Sequence, residues 1–139
     1  MGVKLTGMAG NEVYLLESQW SLLKEVKVTD NNHIEALADV PADSPWFSGH
    51  FPGEPILPGV ALVSVVKQVI LEEALRKGIQ LQLRSLRRIR FTQPIRPGDK
   101  LSISINSEDT GDDIFFSFKV IKGKSIVSSG MITVKKMNG

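Results

Sequence analysis

Across residues 33–40, HIEALADV, apolar side chains recur at every second position: Ile34, Ala36, Ala38 and Val40 fall on one side, Glu35, Leu37 and Asp39 on the other. Such alternation marks a strand with one buried face. The run from Leu22 to Thr29 also reads as a strand, and Asp30 to Asn32 between them supplies residues that tolerate turn geometry, which predicts a hairpin. Further along, LRSLRRIRFTQ, DKLSISINSED, DIFFSFKVIK and SIVSSGMITVKK are rich in β-branched and aromatic residues and are separated by RPG, TGDD and KGK, so each reads as a strand. The segment GVALVSVVKQVILEEALRKG follows another pattern. Pro58 suits a helix entry, Gly78 a helix exit, and apolar side chains cover most of the circumference over the opening turns, which predicts a helix over Val60–Lys77 lying inside the protein rather than on it.

Two strands, one helix and four more strands predict an α+β domain in which an antiparallel β-sheet wraps around a long central helix. A single domain spanning residues 1–139 is expected, with residues 1–12 as a loose N-terminal arm. An open sheet has unpaired edges, and pairing edge to edge with a second copy would cover one of them.

Composition narrows the function classes. Hydrophobic residues make up 42% of the chain and charged residues 23%, the balance of an ordinary globular protein. The most apolar stretch, Val60 to Leu75, is interrupted by Ser64, Lys67, Gln68, Glu72 and Glu73, so no membrane span is expected. The opening MGVKLTGMAGNEVYLL lacks a continuous apolar segment and a cleavage site, and with no cysteine there is no disulfide framework, so a cytoplasmic location is expected. Gly2 followed by Thr6 matches a loose myristoylation pattern that arises easily by chance. Two histidines without cysteine give no metal-site spacing, and no glycine-rich phosphate loop follows a strand, so neither a metal nor another cofactor is expected. The net charge is only +2, yet Arg84, Arg87, Arg88, Arg90 and Arg96 fall within thirteen residues, a cluster suited to phosphate or an acidic protein. Aromatic interleaving among them is thin, which argues against nucleic acid.

The stretch SGHFPGEPILPGV carries the candidate chemistry. Pro52, Pro55 and Pro58 fix φ while Gly49, Gly53 and Gly59 permit turns and close approaches, so the loop is stiff before any ligand arrives. It holds His50, the residue type whose ordinary pKa lies nearest neutrality, shortly before a helix N-terminus that offers unpaired amides at Gly59 and Val60. A base beside an oxyanion-stabilising site can perform carbonyl chemistry. The bland alternative is a histidine that hydrogen-bonds its own loop. His33, in a polar turn, is assigned no role.

These residues carry a resemblance. Gly49, His50, Phe51, Pro52, Pro55, Pro58, Gly59 and Gln68, with Pro94, Pro97, Gly98 and Asp99 downstream, closely resemble the pattern of the 3-hydroxyacyl-acyl-carrier-protein dehydratases of the hotdog fold (FabZ/FabA-like), from about Ile34 to the C-terminus. The resemblance implies a hydro-lyase of fatty-acid or related acyl-chain biosynthesis that eliminates water to give a trans-2-enoyl thioester. By the same match, the Gly59 amide polarises the thioester carbonyl and His50 removes the neighbouring proton. A carboxylate from the partner subunit's helix helps the 3-hydroxyl leave, while Phe51, Val60 and Gln68 contact substrate. It further implies a homodimer or a trimer of dimers, a substrate carried on acyl carrier protein or coenzyme A, and carrier docking at Arg84, Arg87, Arg88, Arg90 and Arg96.

The chain departs from that pattern where the acid belongs, at Ser64. Loss of a placed general acid lowers rate about 10²- to 10⁴-fold. Three readings follow: His50 shuttles both protons while Ser64 orients a water or the hydroxyl, a carboxylate such as Glu54 substitutes, or the site binds a thioester without dehydrating it. The Ser64 hydroxyl could instead bond back to the Val60 carbonyl, or act as a nucleophile toward thioester hydrolysis. Lys67 stands where the family carries a small residue and either snorkels to solvent or lends a cation to the site. ESQWSLLKEV replaces the family's proline–histidine–arginine segment, which puts the far wall of the acyl tunnel in question.

Overall fold

A computed structural model describes residues 21–30, 32–47 and 56–137. β1 (Leu23–Asp30) and β2 (His33–Asp39) form the expected hairpin, with Val26 opposite Ala36 and Val28 opposite Ile34. Its turn is closed by the Asn32 amide, which donates to Asp30 Oδ1 at 2.7 Å. Residues 45–47 form a single 3-10 turn, and α1 (Gly59–Arg76) follows. β3 (Leu81–Phe91), β4 (Lys100–Asp109), β5 (Asp113–Lys122) and β6 (Ser125–Lys136) complete an antiparallel sheet in the order β1-β2-β4-β5-β6-β3, with β1 and β3 at its edges.

The alternation read from the sequence is the alternation of burial. Ile34, Ala36, Ala38 and Val40 are buried, and across the ladder so are Leu101, Ile103 and Ile105 of β4 and Phe116, Phe118 and Val120 of β5. Against this concave face α1 packs Ala61, Leu62, Val65, Val66, Val69 and Ile70, residues spaced to share one helix side. The helix ends as its glycine predicts. Gly78 has φ 71°, the Ile79 amide donates to the Ala74 carbonyl at 2.8 Å and the Gly78 amide to that of Leu75 at 3.0 Å, the paired bonds of a Schellman motif.

The helix is not enclosed as its apolar circumference predicted. Val60 (64% exposed), Ser64, Lys67, Leu71 (41%) and Leu75 (77%) form an open stripe along it. One curved sheet covers one side of a helix, and the opposite flank has no cover among the described residues.

Candidate functional site

The two proline–glycine motifs meet in space. The Leu57 amide, leaving the proline-rich loop, donates to the Ile95 carbonyl at 2.7 Å. Beyond it the chain turns through Arg96–Asp99, held by the Arg96 amide on Asp99 Oδ2 (2.8 Å), by Lys122 Nζ on the same oxygen (3.2 Å) and by the Gly98 amide on the Val40 carbonyl (2.7 Å). Pro94, Pro97, Gly98 and Asp99 thus build the turn that ties the end of β3 to the end of β2. They bring residues 91–95 alongside the start of α1.

Between these segments lies an open cleft of about 230 Å³, with Ile56, Leu57, Gly59 and Leu62 on one wall and Phe91 to Ile95 on the other. Among the described residues its lining has no carboxylate and is mostly apolar. At its helical end Pro58 is extended (φ −65°, ψ 145°), and among the described residues no side chain caps α1. The first bond of the helix runs from the Ala61 amide to the Pro58 carbonyl at 2.9 Å, so the Gly59 and Val60 amides precede the ladder and face no acceptor among the described residues. With the positive end of the helix dipole behind them, such amides suit a carbonyl oxygen gaining negative charge. Phe91 lies against this start: a β-carbon on Gly59 would come 2.6 Å from Phe91 Cζ. Only glycine lets the ring and the helix approach this closely.

Of the residues predicted for the site, Gly59 lies in the cleft wall, while His50 and Phe51, with Glu54, lie outside the described residues. Val60 and Ser64 stand on the exposed helix stripe, outside the cleft lining. Ser64 is exposed, and no hydrogen bond from its hydroxyl to the Val60 carbonyl is present among the described residues. Lys67 is exposed on the same stripe, as snorkelling requires. Gln68 is engaged elsewhere. Its Oε1 accepts from Ser21 Oγ at 3.1 Å and its Nε2 donates to Glu72 Oε2 at 3.0 Å, about 14 Å along the helix axis from Gly59.

The arginines are exposed, four of them on edge strand β3 and Arg96 in the turn after it. Arg84 reaches Asp113 at 3.6 Å. His33 lies on the surface between Glu35 and Asn106, and the hydrogen bond to Glu35, then that to Asn106, raise its pKa above the ordinary 6.5. Among the described residues no cluster of histidine, aspartate or glutamate could hold a metal, and no helix is long and apolar enough to cross a membrane. Phe91 was not foreseen as a wall of the site. Its one sequence signal was an aromatic closing an edge strand just before the second motif.

Comparison with known proteins agrees with this arrangement. The chain is 35% identical over 80 residues to the 3-hydroxyacyl-[acyl-carrier-protein] dehydratase FabZ of Ehrlichia chaffeensis, covering 56% of each chain. It is 38% identical over 77 residues to that of Chlamydia trachomatis serovar D, covering half of each. The chain therefore spans little more than half the length of these curated relatives. Among solved structures, the dehydratase heterocomplex ApeI:P from Xenorhabdus doucetiae matches with a TM-score of 0.66 at 23% identity, covering 83% of this chain and 97% of the other. A hypothetical thioesterase with coenzyme A from Streptococcus pneumoniae matches with a TM-score of 0.66 at 15% identity, covering 82% and 88%, a likeness of fold alone. The six-stranded antiparallel sheet around one long helix is thus a hotdog fold. The profile of the ApeI dehydratases matches residues 25–131, and with most of its length inside that match the chain belongs to the ApeI-like dehydratase family.

Proposed function

We propose that the chain acts on 3-hydroxyacyl thioesters carried by acyl carrier protein or coenzyme A, eliminating water to give the trans-2-enoyl thioester in fatty-acid or related acyl-chain synthesis. The observation that carries this reading is the uncapped start of α1 opening beside an apolar cleft, directly after the His50 motif. In the proposed reaction the thioester oxygen takes hydrogen bonds from the Gly59 and Val60 amides, which lowers the cost of the charge that develops when the C2 proton leaves. His50 accepts that proton. The C3–O bond then breaks and the hydroxyl departs as water, taking back one proton, from His50 itself or from a donor at the Ser64 position. The 230 Å³ cleft holds little more than the thioester head, below the roughly 300–1,000 Å³ of small-molecule pockets. An acyl chain would continue along the exposed stripe of Val60 and Leu71.

Enoyl-thioester formation from a 3-hydroxyacyl pantetheine substrate tests the reading. His50→Ala should lower the rate about 10²- to 10⁴-fold. Equal rates in wild type and variant would remove the catalytic role. A second reading is favoured by one observation, the serine at the acid position near a cleft that has no carboxylate among the described residues: a subunit that binds acyl thioesters and turns them over only with an acid supplied by another chain. It expects binding without turnover by the wild type alone, and appearance of turnover in Ser64→Glu. Thioesterase action would instead release free thiol without enoyl product.

A further inference from the structure

We propose that Ser128 is a positioning residue of the cleft wall: its buried hydroxyl holds a bulge in β3 that turns Phe91, rather than Arg90, toward the start of α1. The placement of the ring stands on geometry; its effect on thioester binding rests on the function proposed above.

Which side of the sheet Phe91 faces is a matter of counting. Leu86 stands opposite Ile132, a buried residue of β6, and so lies on the face that α1 covers. In a regular strand Phe91, five residues later, would face the other way, and Arg90 would face inward. The ladder is not regular there. Arg87 stands opposite Met131 and Arg90 opposite Ser129, three steps along β3 against two along β6, so one extra residue is inserted. The insertion reverses the alternation. Phe91 comes opposite Ser128, itself opposite buried Val120, and its ring meets Gly59, while Ile89 Cδ1 lies against Gly130. The bulge thus decides whether a phenyl ring or a guanidinium walls the helix start.

The inserted conformation is strained and has to be held. Arg88 has φ 54°, and among the described residues it is the one non-glycine residue with a positive φ. A side chain with a β-carbon resists that region, so the strand by itself favours the regular ladder. Ser128 opposes the slip. It is wholly buried, and its hydroxyl donates across the ladder to the Arg90 carbonyl at 2.8 Å, directly after the bulge. A regular ladder would bring Arg90 itself opposite Ser128 and lose this geometry, stranding a hydroxyl in the core. On the far side of Phe91 the Thr92 amide donates to the Val127 carbonyl at 2.9 Å and the Thr92 hydroxyl to that of Ile126 at 2.7 Å. The ring is therefore fixed from both sides by hydroxyls, of which Ser128 is the one that water does not reach.

The test uses the full chain and the α protons of Gly59. One of them occupies the direction in which a β-carbon would meet Phe91, so it carries the ring-current displacement of that ring in an NMR spectrum, and Phe91→Leu supplies the undisplaced reference. Ser128→Ala should lose at least half of the displacement. Arg88→Gly should keep it in full, because glycine adopts φ 54° freely, and should restore it when combined with Ser128→Ala. Arg88→Val, whose branched side chain resists that φ, should reproduce the loss and carries the test if Ser128→Ala does not fold. Binding of an acyl-pantetheine thioester, measured by calorimetry, should weaken about fivefold in Ser128→Ala, the factor of one neutral hydrogen bond, and recover in the double variant. A Gly59 signal that stays at its wild-type position in Ser128→Ala while the melting temperature falls would overturn the proposal, since the hydroxyl would then serve stability alone. A displaced signal with thioester binding unchanged would support the placement of the ring and overturn the function proposed for the cleft.

Discussion

Replacing Gly59 with alanine separates the stability of the cleft from its shape. The new methyl would lie 2.6, 2.8 and 3.0 Å from Cζ, Cε2 and Cε1 of Phe91, so the ring must retreat by about 1 Å to reach ordinary contact. Phe91 is half exposed and the touched atoms are the far end of its side chain, so it can swing outward at about 0.5–1.5 kcal/mol of off-rotamer strain. Alanine returns about 0.5–1 kcal/mol by restricting the unfolded chain. These terms nearly cancel, and the melting temperature should move by no more than about 4 °C. The wall of the cleft nevertheless moves. Binding of an acyl-pantetheine thioester, measured by calorimetry, should weaken about tenfold or more, since a misplacement of this size near a binding group reaches a factor of about 100. Phe91→Leu in the same chain should restore part of the loss by making room for the methyl. Wild-type binding by the Gly59→Ala variant, or a loss that Phe91→Leu does not touch, would show that the cleft beside the helix start does not receive the thioester.

Three further expectations follow from packing and charge. Glu73 is 8% exposed and is held by Arg76 Nε (2.9 Å) and Nη2 (2.6 Å), with Lys77 at 3.7 Å; the bond from Arg76 above all keeps its carboxyl below the usual 4.5. Its stabilisation is therefore complete above about pH 4.5 and is lost as pH falls through the lower folded value, so acid titrations of Glu73→Gln should lack that component and, Arg76 being largely exposed, show a cost of only about 1–2 kcal/mol at neutral pH. Gly130→Ala would press its methyl on Ile89 Cδ1 and bring it 2.9 and 3.0 Å from buried Phe118, which cannot swing away; thermal melts should show about 1–3 kcal/mol of destabilisation, and a neutral result would contradict the packing of β3 on β6. Asp99→Ala removes the acceptor of both the Arg96 amide and Lys122, and should cost about 1–2 kcal/mol in denaturant titrations while raising hydrogen exchange at Arg96.

The inner strands were legible because each has one buried face, and an alternation such as Leu101, Ile103, Ile105 is written directly in the chain. Both ends of α1 were legible to within one residue, since Pro58 and Gly78 restrict the backbone locally whatever surrounds them. The surroundings of the helix were not. Val60, Leu71 and Leu75 add to an apolar circumference in the same way whether their cover comes from the chain's own sheet or from another molecule, and periodicity carries no term that distinguishes the two. The hydrogen bonds of Gln68 to Ser21 and Glu72 were not legible either, because the first depends on how β1 enters the sheet.

Within the site, Gly59 was found through its motif and Phe91 was missed, although each makes the other necessary. The glycine is needed because the ring is there, and the ring is placed by the pairing of Phe91 with Ser128 at the end of β3, while Asp99 and Lys122 hold the turn beyond it. The two motifs therefore perform different work. The second is a structural clamp whose side chains are consumed in holding a turn, and the first ends in a helix start whose amides meet no acceptor among the described residues. Chemistry is to be sought at the motif with unspent donors. A substitution in the P-x-x-P-G-D turn should thus lower activity only in proportion to lost stability, whereas one at Gly59 should do so without it.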